Sequence, residues 1–474
     1  MDFTARVLDS LTSFSDEQLD RVTATSSVFF DRRWFRMLDA LDLEPLVRGK
    51  IAMRYVVVTR SAEPVAVCPF IVTRSKSIYF FYSLKKFFFT SWQAELLRMN
   101  QEKASFIRWI GGVVAAYLGF ARATGAGTDG WVLAVSPISH RGDIAIAPMT
   151  KEDEQAVREK VIDALQEVAK DENLPLCFFG VQQERDSLRQ TLVRRDFAEL
   201  FLIYDNLLQL PVTSFDEYLN LFRSDARRLF NREMKQAREA GVRFEVTHNL
   251  NQVSNCMERL YDATYSKYGE EHFHHPASFW SALGRHVAPH AEALIAYRDR
   301  EPVGFSALLH KNEDLYFWRV GRTYDGEIGE APIYFNLAFY EPVKRALELG
   351  AKRLWLGSGA WEAKRRRGAT GHALYSYLWF PRRWARWVLM PYIGTFCRIS
   401  QEQQAAATQP SAYLKAGVDS ASGLPAPHVP QRRKDRSSST RHESPGPTPN
   451  PSVTEPRSGP RRSAGFRRCR YSRR

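Results

Sequence analysis

The chain has 474 residues, 44% of them hydrophobic and 25% charged, which is too long for one ordinary core and suits a globular protein with two. Its net charge of +14 sits mostly in one place: residues 410–474 carry 14 Lys and Arg against 4 Asp and Glu, so the rest is nearly balanced and does not read as a nucleic-acid binder. Five widely spaced cysteines without a CxxC pair argue against zinc or a disulfide framework, and the longest apolar run, Ile110 to Ala121, falls short of the ~20 residues that span a bilayer.

The N-terminus lacks a positive region followed by an apolar run, so the expectation is a cytoplasmic chain without a secretory signal. The first informative segment is Arg54 to Ser83, RYVVVTRSAEPVAVCPFIVTRSKSIYFFYS. It reads as strand, polar turn, strand, charged turn, strand. A second segment, Ala293 to Val320, ALIAYRDREPVGFSALLHKNEDLYFWRV, repeats that order. Glu63 matches Glu301, Pro64 matches Pro302 and Tyr79 matches Tyr316, which predicts two copies of one fold. Each copy is followed by a predicted helix and strand: Phe106 to Ala121 and Trp131 to Ser136, then Ile333 to Leu349 and Arg353 to Leu356. Pro342 should kink the second helix, because it removes a backbone donor.

The first copy continues through a helix (Glu152 to Lys170), a buried strand (Pro175 to Val181), another helix and a long strand (Phe201 to Leu210). Asp225 to Ala240 then predicts a helix with Ala226, Leu229, Phe230 and Ala237 on one face and Arg228, Arg232 and Lys235 on the other, stopped by Gly241. Phe380 to Phe396 mixes Trp384, Trp387 and Leu389 with Arg382, Arg383 and Arg386, a covering helix or one that lies on a membrane surface. From Pro410 the composition turns to Pro, Ser, Gly and Arg and cannot bury enough apolar area to order itself. The expected division is residues 1–210, 211–404 and a disordered basic tail over 405–474.

From Val212 to Phe380 the chain resembles the acetyltransferase domain of FemAB-like proteins in the GNAT superfamily. The residues that carry the resemblance are SDARRLFNREMKQAREAGVRFEV, the Phe279–Trp280 helix, the Glu-Pro-Val meander, the helix from Pro332 to Leu349 and RLWLGSGAWEAKRRRG. The resemblance implies an α/β fold with a mixed sheet in two tandem GNAT-like domains. It also implies transfer of an acyl group to an amine by direct attack. The donor would be acyl-CoA or, as the alternative, aminoacyl-tRNA, and the acceptor a small molecule or a cell-envelope precursor; a recognition module without chemistry is the third reading.

The acyl slot then lies between Leu315 to Val320 and Arg353 to Leu356. The usual pyrophosphate loop is replaced by Gly326-Glu-Ile-Gly-Glu-Ala-Pro332, where Gly329 and Ala331 could face phosphate and Glu330 is an unexpected charge. Glu330 and Asp325 are the nearest candidate bases. Trp318, Arg319 and Tyr334 would line the slot, and Tyr375 would protonate a leaving thiolate. Lys364-Arg-Arg-Arg367-Gly, with Ser358 in a Gly-Ser-Gly nest, is the expected anion site, because four consecutive cations repel one another unless an anion is near. Lys364 is the first choice for a catalytic role, and Lys364→Ala and Arg367→Ala are expected to weaken donor binding or turnover while stability holds. The cluster Glu271-His272-Phe-His274-His275 lacks a fixed ligand spacing, so no metal is expected.

Overall fold

The computed structural model describes residues 3–75, 78, 79, 82, 108, 112, 130–268, 275–324, 332–409 and 411–415. In chain order the strands of the first half are β1 (Phe3–Leu8), β2 (Ile51–Arg60), β3 (Glu63–Thr73), β4 (Trp131–Ala134), β5 (Ala145–Ile146), β6 (Leu176–Gln182) and β7 (Ala198–Gln209). Those of the second are β8 (Val242–Thr247), β9 (Ala291–Arg298), β10 (Glu301–Lys311), β11 (Asp314–Arg322), β12 (Arg353–Trp355) and β13 (Thr370–Trp379). All belong to one mixed sheet in the order β1-β2-β3-β4-β6-β13-β7-β12-β11-β10-β9-β8, with β5 beside β3.

The predicted repeat is visible in that order. β1 to β4 run antiparallel and β4 then pairs parallel with β6; β8 to β11 run antiparallel and β11 pairs parallel with β12. The Glu-Pro-Val turns coincide. Ser61–Ala62 and Asp299–Arg300 both have positive φ at the two turn positions, the geometry whose twist suits a two-residue hairpin, and a register shift follows beside each proline. Tyr79 departs from the match: it lies outside any strand, tied by its N–H to the Val47 carbonyl, and β4 rather than the predicted third strand pairs with β3.

The last strands of the halves are exchanged. β7, which follows β6 in sequence, pairs with β12, while β13 pairs with β6, and the two run antiparallel to each other from Thr370↔Leu207 to Leu378↔Ala198. Neither half completes its own sheet without a strand from the other.

Helices cover both faces. α1 (Asp16–Thr23) begins with a capping box at Ser15, and α2 (Arg32–Ala40) is capped by Asp31. α3 (Leu43–Val47) follows, and α4 (Lys151–Asp171) and α5 (Asp186–Arg194) pack Val157, Val161, Leu165 and Leu192 on one face of the first half. α6 (Phe215–Asn220) and α7 (Ser224–Glu239) cover one face of the second, with Tyr218, Phe222 and Phe230 packed edge to edge. α8 (Leu250–Tyr268) and α9 (Ala277–Val287) lie on the other and share a core with α2, in which Phe29 and Trp34 join Trp280, Phe305 and Tyr316. At its edge Lys311 pairs with buried Asp31 at 2.6 Å and donates to the Thr23 carbonyl, which ties the first helices to β10.

The kink expected at Pro342 is a widened turn one step earlier. α10 (Ile333–Phe335) passes into a π-turn over Asn336–Tyr340 before α11 (Glu341–Glu348), where Pro342 occupies a first-turn position whose missing donor costs nothing. α12 (Trp361–Arg366) follows β12, and α13 (Arg383–Gln404) runs past the predicted end at Phe396. Part of the expected tail is packed: Arg223 and Lys415 make backbone hydrogen bonds to Tyr413 and Leu221, and Ser411 is buried. Among the described residues no helix is long and apolar enough to cross a membrane, and no group of side chains is arranged to hold a metal.

Candidate active site

The centre of the sheet is polar where its neighbours are apolar. Asp205 and Asn206 interrupt the apolar run of β7, and His372 sits opposite Asp205 on β13. All three are buried. A buried charge must find partners or neutralise, and each of these finds them from distant segments. Asp205 pairs with Arg141, whose guanidinium also lies 5.4 Å from the Trp355 ring. His372 Nδ1 meets Glu184 and lies 3.2 Å from the Gln183 amide, and its ring packs edge-on to Trp355. Trp355 stacks on Tyr316 and donates its indole N–H to Asp314 at 2.9 Å. Histidine contact holds the Glu184 carboxyl below its ordinary value even though burial pushes it up.

Lys364 enters this cluster from α12. The Gly357 carbonyl accepts the Asn206 backbone N–H at 3.1 Å, the Asn206 side-chain amide at 2.7 Å and Lys364 Nζ at 3.0 Å. Gly357 has φ +76, a conformation that glycine adopts freely and that turns the chain away from β11 at this point. Burial pushes the Lys364 ammonium down to about 8, with Asp205 opposing the shift. A lysine so tuned can exchange its proton near neutral pH.

The parallel pair β11–β12 ends at Tyr316↔Trp355, while β11 continues to Arg322. Trp318 and Arg319 stand on that continuation. Trp318 lies in an aromatic cluster with Trp34, His275, Phe279 and Trp280. Arg319 donates to its own neighbour's carbonyl and, at 2.9 Å, to the carbonyl of Ile138. Ile138 belongs to the segment Ser136–Asp143, which fills the matching position in the first half: Gly142 N–H donates to Gly180 across the end of β4 and β6. Beside this segment a narrow cleft, with room for about one water-sized molecule, is lined by Ser27, Phe29, Arg141, Asp143, Gln182 and Tyr316, among others.

The predicted residues separate. Lys364 is buried beside the Gly357–Ser358 turn, and Ser358 is exposed. Arg365 lies over the Trp361 ring and Arg366 pairs with Glu362. Arg367 corrects the reading of a free cationic run: it is 2% exposed, donates to Glu233 at 2.6 Å and to Tyr340 at 3.2 Å, and lies over the Phe335 and Phe339 rings. Its neutralising carboxylate comes from α7, more than a hundred residues away in sequence. Tyr334 packs with Phe335 and Phe339. Tyr375 lies under Arg189 at 4.4 Å and against Phe201, outside the Lys364 group, and burial raises its hydroxyl pKa. Asp325, Gly329, Glu330 and Ala331 lie outside the described residues, as do Glu271, His272 and His274. His275 is buried among Tyr261, Phe279 and Trp280.

Arg141, Glu184, Asp205, Asn206 and His372 were missed from sequence. The available signal was the charge inside apolar strands, in FLIYDNLLQ and TGHALYSYLW.

Residues 133–415 match the FemAB-like family, described as peptidoglycan biosynthesis/recognition. Among solved structures, FemX aligns over 82% of this chain and 99% of its own, with 10% identity and a TM-score of 0.50. The C-terminal domain of a protein named as a lysylphosphatidylglycerol synthetase from Agrobacterium fabrum aligns over 84% and 98%, with 10% identity and a TM-score of 0.46. A tandem GNAT protein from the clavulanic acid biosynthesis pathway aligns over 80% and 98%, with 9% identity and a TM-score of 0.39. At such identities the likeness concerns the fold. No curated protein matches the chain.

Proposed function

The chain belongs to the FemAB-like family, and from that premise we propose that it is an N-acyltransferase that moves an acyl group from acyl-CoA to an amine of a cell-envelope precursor or related small molecule. The observation that carries this reading is Lys364, a buried ammonium brought down to about 8 and held at the turn where β12 leaves β11. The acceptor's nitrogen forms a bond to the acyl carbon and the carbon–sulfur bond to the donor breaks. The amine's proton passes to His372, oriented through Nδ1 by Glu184, and the departing thiolate takes a proton from Lys364. Lys364 as a cation also offsets charge that develops on the carbonyl oxygen.

Aminoacyl-tRNA is the second donor, and the exposed Arg228, Arg232 and Lys235 on α7 favour it. Native mass spectrometry of the full chain with acetyl-CoA, longer acyl-CoAs and aminoacyl-tRNA tests the reading. A stable acyl-CoA complex that is discharged by an amine acceptor is expected. Binding of aminoacyl-tRNA alone moves the assignment to the second donor, and binding of neither leaves a recognition module.

A further inference from the structure

α13 covers β7 with one face and leaves the other uncovered. Leu389, Ile393 and Cys397, four residues apart, are buried in the core that holds Phe201 and Tyr204 of β7. On the opposite side of the helix Arg383, Trp387 and Pro391 recur at the same spacing and are exposed, with Arg398 two turns further on. Trp387 is 78% exposed, more than any other large hydrophobic side chain described. A lone apolar side chain in water needs no explanation, but the charges around this one do. From Ala363 to Gln401 the sequence has no Asp or Glu. Arg386 is balanced by Asp196 from the turn after α5, whereas Arg382, Arg383 and Arg398 are exposed and form no ion pair among the described residues. The first carboxylate of the helix is Glu402, one turn past Arg398. Pro391 has no N–H to give the Trp387 carbonyl, so that carbonyl lacks its helical partner at the same exposed place and requires hydrated surroundings.

We propose that this face docks on an anionic lipid bilayer, with Trp387 at the level of the headgroups and Arg382, Arg383 and Arg398 against lipid phosphates. An indole settles where one end is apolar and the other wet, and guanidinium groups bind phosphate in two-point contacts. The Trp387 carbonyl limits the depth, since it finds water among headgroups and none in hydrocarbon. A second copy of the chain fits less well, because a two-fold contact through this face brings the arginines of one copy towards those of the other. Residues 416–474 add 13 Lys and Arg against 4 Asp and Glu, a separate attraction to the same kind of surface. The inference does not depend on the acyltransferase reading, since docking requires neither donor nor acceptor.

Co-sedimentation of the full chain with phosphatidylcholine vesicles, pure or containing about 30% phosphatidylglycerol, tests this. The anionic vesicles are expected to bind at least about 10-fold more tightly than the neutral ones. Trp387→Ser changes no charge and so leaves the attraction of residues 416–474 intact. It should weaken binding to the anionic vesicles by about 5-fold or more, and Trp387→Phe should restore most of the loss. Arg383→Gln should weaken it by about 5-fold. Both positions are exposed, so the variants should keep the melting temperature of the unaltered chain. No sedimentation, or equal sedimentation with the two vesicles, overturns the proposal. Binding that Trp387→Ser leaves unchanged also overturns it and assigns the contact to residues 416–474. Self-association of the unaltered chain without lipid, abolished by Trp387→Ser, gives the face to a second copy and overturns it as well. If the vesicles bind but acyl-CoA is never discharged, the acyltransferase reading falls and the docking face stands; if acyl-CoA is discharged and the vesicles do not bind, the reverse holds.

Discussion

The two halves of the sheet repeat one strand order and differ where their parallel pairs open. In the first half, Ser136–Asp143 folds back over the end of β4 and β6: Ser136 N–H donates to Arg141, Gly142 to Gly180, and Ile138 is held from opposite sides by the Tyr82 hydroxyl and Arg319. In the second half, Gly357 turns away from β11 and Lys364 occupies the corner behind it. One opening is occupied by the chain itself, and the other is bordered by a titratable group. A repeated scaffold can thus be closed by its own chain in one copy and left bordered by a buried lysine in the other.

The largest expected effect concerns the wall of the second opening. Arg367→Ala leaves the buried Glu233 carboxylate without its counter-charge, with the Tyr340 hydroxyl still donating to it, and should cost about 3–5 kcal/mol in denaturant unfolding. Donor affinity of the fraction that remains folded should change little. This reverses the expectation from sequence that stability would hold and binding would fail, and a variant of unaltered stability would return Arg367 to the anion site.

Next comes the closure of the first opening. Gly180 has φ +76, and a Cβ there would stand 2.1 Å from the His140 carbonyl, so Gly180→Ala must displace the Ser136–Asp143 segment. A loss of roughly 1–3 kcal/mol is expected. A variant that keeps its melting temperature would show that the segment does not close this opening.

The last effect, on rate rather than on folding, is the most specific. Lys364→Met should lower transfer by about 10-fold or more, the loss of one interaction on the order of 1.5–3 kcal/mol. Because Lys364 acts as the acid, transfer by the unaltered chain should fall as pH rises through about 8 and that limb should vanish in the variant. Stability moves the other way. The folded chain releases this proton near 8 and the unfolded chain near 10.5, so below about 8 the buried cation is a constant cost. Between these values the unfolded state binds more protons and the unaltered chain gains stability relative to Lys364→Met. A flat difference across that window would mean that Lys364 is solvated.

Much of this was legible residue by residue. Hairpins with Glu-Pro-Val, the amphipathic α7 and the length of α4 follow from local pattern, since turn chemistry and the 3.6-residue period act over neighbours. Lys364 was singled out because it stands shortly after a strand and has few acidic neighbours in sequence. Arg367 misled for the same reason: its counter-charge, Glu233, is near only in space.

The sequence by itself determined the elements, the repeat and the presence of a basic turn after β12. The tertiary structure alone decided that β7 and β13 cross into opposite halves, because strand pairing depends on edges left open by distant segments. That crossing puts Asp205 opposite His372 and brings Lys364 and the partly buried Arg141 beside them, with Glu184 at the exposed rim, where reduced dielectric makes each charge depend on its partners. No local pattern encodes such a meeting, since its five members come from five separate stretches of chain and acquire their chemistry only when burial removes water from between them.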